Sequence, residues 1–76
     1  MIIPIEEGIG VDSDFLMYVA SLYFDDEQLE DMIDEVYDKF SKEPLFYLMS
    51  EEHCIDEAII RVCQRYYKEL KERNEE

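Results

Sequence analysis

Asp26, Glu30, Asp34 and Asp38 recur every four residues, and Glu27, Asp31 and Glu35 form a second row beside them. On a helix of 3.6 residues per turn both rows fall on one face, where neighbours within a row rise about 6 Å. That spacing is comparable to the step between phosphates along a nucleic-acid strand, so two adjacent rows present a band of negative charge. Like charges at i, i+4 are unfavourable by roughly 0.2 to 0.5 kcal/mol per pair. The rows contain five such pairs, a cost of order 1 to 2 kcal/mol before screening. A helix that served only as scaffold has no need of that cost. The plainer explanation is a solvated face whose acidity aids solubility. A band that receives Lys and Arg from a partner is the expectation carried forward. Tyr18, Tyr23, Tyr37 or Met32 would supply the apolar anchors that charge alone lacks, although Tyr37 and Met32 lie on the stripe expected to face the core.

Other uses of these residue types fail on spacing. An EF-hand started at Asp12 places Met17 where the loop needs Gly and Tyr23 where it needs a bidentate Glu. His53, Cys54 and Cys63 are three soft ligands that do not converge, whereas zinc normally takes four in paired spacings. Adjacent helical residues such as His53 and Cys54 point about 100° apart, and nothing basic lies nearby to lower the thiol pKa. Carboxylates on an open helix face lack the desolvated cleft of a general acid or base. Gly-rich phosphate loops, Gly-x-Ser-x-Gly and a Walker lysine are not found in the sequence. The expectation is a protein without catalytic activity, metal or cofactor.

The charge balance sets the class of partner. The 76 residues include 21 Asp and Glu against 7 Lys and Arg, a formal net charge of −14. Residues 1 to 38 hold twelve acids and no Lys or Arg, while residues 39 to 76 hold nine acids and all seven cations. Direct binding to nucleic acid or an anionic membrane is excluded by that balance, because both attract clusters of Lys and Arg. The repulsion in the first half calls for a solvated surface or a cationic partner. No run of 18 apolar residues occurs, and no basic segment precedes Ile2 and Ile3, which predicts a cytoplasmic protein. Cys54 and Cys63 within one helix would stand about 13 Å apart, too far for a disulfide.

The elements that position the band follow from periodicity and punctuation. Residues 1 to 11 read as an extended arm and loop, with Pro4 disfavouring a central strand and Gly8 and Gly10 marking turns. Asp12 or Ser13 caps a first helix to about Tyr23, apolar on nearly every side and therefore expected to be central or shared with another subunit. A second helix over 26 to 41, capped by Asp25 or Asp26, carries Leu29, Met32, Ile33, Val36, Tyr37 and Phe40 as a stripe at helical period. Ser41 to Pro44 precedes a short helix over Leu45 to Met49, and Ser50 caps a last helix over 51 to 72 with residues 74 to 76 frayed. Together these predict a single all-α domain, a compact bundle of three longer helices and one short one.

In size and composition the chain resembles the small acidic DNA-mimicking inhibitors that phages and other mobile elements direct against restriction, CRISPR or repair enzymes. The resemblance is compositional and assigns no individual residue. It implies an inhibitor that occupies the nucleic-acid site of a basic protein; the i, i+4 spacing, not the resemblance, makes Asp26, Glu27, Glu30, Asp31, Asp34, Glu35 and Asp38 the expected contact band. The competing expectation is a helical adaptor or regulatory subunit, homodimeric in one form, in which the first helix, Tyr66 and Tyr67 pack against a second chain.

Overall fold

A computed structural model describes residues 1–74. Strands β1 (Ile2–Glu6) and β2 (Ile9–Asp12) precede helices α1 (Ser13–Tyr23), α2 (Asp26–Ser41), α3 (Pro44–Leu48) and α4 (Glu51–Asn74). Three long helices and a short one form the bundle that helical periodicity predicts. The arm is extended as expected, but its two halves pair as an antiparallel hairpin, with Ile2 opposite Asp12 and Ile3 opposite Val11. Pro4 is tolerated because a two-stranded sheet has only edges. Gly8 takes φ 77°, a left-handed conformation that costs an L-residue energy and glycine little, and this closes the turn.

Each helix starts where the chain supplies a cap. Asp12 accepts from the amides of Asp14 and Phe15 at 3.0 and 3.3 Å, so it, rather than Ser13, caps α1. Asp25 and Gln28 form a reciprocal capping box on α2. Glu43 precedes Pro44 at the start of α3 without a side-chain cap. Its carboxylate instead binds Arg61 at 2.8 Å. Ser50 Oγ accepts from the His53 amide at 3.3 Å at the head of α4. α4 continues to Asn74, past the expected end and into the segment expected to fray. Glu75 and Glu76 lie outside the described residues.

The central element is α4. At 1.5 Å per residue its 24 residues run about 36 Å, against about 16 Å for the 11 residues of α1. On one side Ala20, Met32, Val62 and Tyr66 are buried together. On another, Ile3 of the hairpin packs with Leu16 and Cys63. Burial of these side chains drives the assembly, at about 25 cal/mol per Å² of apolar surface removed from water. The hairpin is pinned to α4 by Gln64 Nε2 donating to the Pro4 carbonyl at 2.8 Å, and by Tyr67 and Lys71 donating to Glu6 at 2.8 and 2.9 Å. Phe40 is fully buried at the far end of α2, with the Arg61 guanidinium 4.5 Å above its ring and the Phe46 ring edge-on at 5.3 Å.

Three expectations about packing need correction. α1 is not central: it buries Ser13, Leu16 and Ala20 but leaves Phe15, Tyr18 and Leu22 more than 60% exposed. Its apolar residues outnumber the surface that α4 and the hairpin can cover. Tyr66, expected to meet a second chain, is instead buried beside Ala20 and Met32, and Tyr67 is half-buried and bonded to Glu6. The stripe on α2 splits: Met32 and Phe40 are buried, whereas Ile33 and Tyr37 remain exposed.

Candidate functional site

Around the axis of α2 the buried Met32 and Phe40 and the partly buried Val36 face α4, and the two acidic rows lie on the opposite side, roughly 180° away at 100° per residue. The helix forms there because its apolar stripe packs on α4 and its first turn is capped and acidic, which suits the macrodipole. Asp26, Glu27, Glu30, Asp31, Asp34, Glu35 and Asp38 are all exposed, as the spacing predicts.

Two of the seven have cationic partners. Arg65 of α4 reaches Glu35 at 3.1 Å, and Lys42 binds Asp38 at 3.1 Å. Among the described residues, Asp26, Glu27, Glu30, Asp31 and Asp34 make no ion pair. The acidic first half, which carries no Lys or Arg, also draws cations in the fold: Glu6 is held by Lys71, and Asp12 lies 3.6 Å from the N-terminal amine. Bonds from Lys71 and Tyr67 lower the pKa of Glu6. A bond from the Phe15 amide does the same for Asp12.

Beside the band lies a feature that sequence reasoning missed. α1 is too short to cover the first half of α4, and an open apolar groove of about 650 Å³ remains there. Ile55, Ala58, Ile59 and Val62 form its floor. Ile33 and Tyr37 belong to its α2 wall, Met17 lies on the α1 side and Phe46 on the α3 side. Tyr37 meets Phe46 edge-on at 6.1 Å, which fixes the wall without filling the groove. Of the four anchor candidates, Met32 is buried, Tyr18 and Tyr23 are exposed on α1, and only Tyr37 borders both the groove and the acidic rows. The signal available in the sequence was the mismatch in length between the first and last helices.

The sulfur and imidazole groups have structural roles. Cys63 is buried with Ile3 and Leu16, and desolvation pushes its thiol pKa up, so it stays protonated at neutral pH. Cys54 points its thiol at the Phe46 carbonyl, 3.4 Å away. His53 Nδ1 lies 3.0 Å from the capping hydroxyl of Ser50. Among the described residues no group of three His, Cys, Asp or Glu side chains is gathered for a metal ion, and no helix is long and apolar enough to cross a membrane. In comparisons with protein-family models, curated proteins and solved structures, the chain matches none.

Proposed function

We propose that the protein is a non-catalytic inhibitor whose acidic α2 face takes the place of nucleic-acid phosphates in the cleft of a basic protein, such as a nuclease, a restriction or CRISPR enzyme, or a repair factor. The observation that carries this reading is the set of five exposed carboxylates on one helix face with no cationic partner among the described residues. Lys and Arg that otherwise hold phosphates would pair with them. Opposite fields would speed encounter, and occupation of the cleft would exclude nucleic acid.

The test compares the wild-type protein with a variant carrying Asp26→Asn, Glu27→Gln, Glu30→Gln, Asp31→Asn and Asp34→Asn. Both are used to capture partners from a host lysate. The expected outcome is a nucleic-acid-binding protein retained only by the wild type, displaced by DNA or RNA, with affinity that falls steeply between low and physiological salt. Equal capture by both proteins, or a salt-independent complex, rejects the phosphate mimic.

A second reading rests on α1. Phe15, Tyr18 and Leu22 form an exposed apolar face, which suits an adaptor or a homodimer that buries it. Light scattering after size exclusion separates the two: a stable dimer abolished by Tyr18→Gln with Leu22→Gln favours the adaptor.

A further inference from the structure

The groove beside the acidic rows has an occupant of definable chemistry. It lies over the first half of α4, where a helix of α1's kind would sit if α1 were longer. The floor from Ile55 to Val62 is walled on one side by the α2 row containing Ile33 and Tyr37. By helical geometry the row Asp26, Glu30, Asp34 is the next row round α2, immediately outside that wall. Glu51 lines the groove at the start of α4, and among the described residues no Lys or Arg lines it.

From this juxtaposition, and resting on the phosphate-mimic reading of α2, we infer that the groove takes one amphipathic helix of a basic partner, about three turns long, with its apolar side chains on the α4 floor and its Lys and Arg against the α2 acids. Length supports a helix: the lining of α4 extends from Glu51 to Tyr66, and its apolar part from Ile55 to Tyr66 spans about 16 Å, three turns. The walls are helices, so a helix completes the packing by ridges and grooves. Charge selects the partner. A second copy of this chain would bring a net charge of −14 toward a groove already bordered by carboxylates, whereas a basic helix neutralises them. Apolar anchoring and an ionic border then divide the work: the border steers encounter and the groove fixes register and sets residence time.

The test uses a synthetic helix of roughly 14 residues, enough for three turns with capped ends, bearing Leu at i, i+3 and i+7 and Lys elsewhere. Three further reagents are a scrambled peptide of the same composition, a peptide with Lys replaced by Gln, and the protein variant Ile33→Gln with Ile55→Gln. Both protein positions are exposed, so the variant should fold, and circular dichroism checks this. Titration followed by amide chemical shifts is expected to move Ile33, Tyr37, Ile55 and Ala58. The double variant is expected to weaken binding about tenfold or more, with the scrambled peptide binding at least as weakly. Equal binding by the scrambled peptide, with no effect of the groove substitutions, overturns the inference while leaving the acidic-face reading to its own capture experiment. Equal binding by the Gln peptide overturns the basic occupant. A concentration-dependent dimer lost in the double variant overturns it in favour of a second copy.

Discussion

Arg65 bonds Glu35 of α2 through one guanidinium nitrogen at 3.1 Å, and through another it binds Glu69, one turn further along α4, at 3.0 Å. One cation thus ties two helices together and withdraws one carboxylate from the acidic band. Replacement Arg65→Gln removes both pairs. Because Glu35 is more than half exposed, the loss in stability should be about 1 kcal/mol or less. Urea unfolding measures it. The same variant frees Glu35, so affinity for a basic partner should hold or rise.

The acidic rows should cost stability. Glu30→Gln, Asp31→Asn and Asp34→Asn together remove at least one member from each of the five i, i+4 repulsions, yet keep Asp26 and Glu27 in the first turn where they favour the helix dipole. At low salt this triple variant should be more stable than the wild type by about 1 to 2 kcal/mol. The advantage should shrink as sodium chloride rises and screens the wild-type rows. Thermal melts across a salt series provide the measurement, and a variant less stable than the wild type at low salt would contradict the account.

Acid titration should report on the groups that bind cations or amides. The carboxyls of Glu6, Asp12 and Glu43 have pKa values lowered from 4.5, 3.8 and 4.5 by bonds from Lys71, the Phe15 amide and Arg61 respectively. A depressed folded-state pKa adds stability that is present above the unfolded value and lost as pH falls through the folded one. Stability contributed by these groups should therefore decline from about pH 5 downward. Glu6→Gln with Glu43→Gln should narrow its deficit relative to the wild type as pH is lowered. At the other end, burial raises the pKa of Cys63 and Tyr66 above 9.0 and 10.0. The unfolded chain ionises first there, so stability should fall as pH rises beyond about 9, and Cys63→Ala should remove part of that fall.

The turn of the hairpin rests on backbone conformation alone. Gly8 holds φ 77°, and a Cβ added there would meet nothing within 4 Å. Gly8→Ala should therefore destabilise by about 1 kcal/mol through left-handed strain, without a steric clash. Amide exchange at Val11 should accelerate more than at Met32, showing that the loss begins in the hairpin.

The helices were legible because their signals are local. The stripe of α2, its Asp25 cap and Pro44 at the head of α3 specify start, face and stop within a few residues. The acidic band was legible for the same reason. The hairpin was not, because Pro4 argued against a strand and Glu7-Gly8 is a weaker turn signal than Asn-Gly. Ile2, Ile3 and Ile5 on one side of Gly8, with Ile9 and Val11 on the other, were the available cue. Which helix is central depends on who covers whom. The apolar surround of α1 suggested a core helix, yet the 24 residues of α4 give it more surface to share, and α1 lies on it with one side open. The groove follows from that arrangement, and no single segment encodes it.

Ile3 packs against Cys63, and Gln64 holds the Pro4 carbonyl, so the first strand is fastened by residues about sixty positions later in the chain. During synthesis the hairpin leaves the ribosome long before its docking surface exists. Its apolar face, with that of α1, must wait in water until α4 is nearly complete. Closure of this fold is therefore a late event, set by arrival of the final helix and slowed by the long loop that must close. Chains interrupted before Cys63 would retain the acidic α2 segment and Leu16 but lose the α4 side of the cluster that buries Ile3.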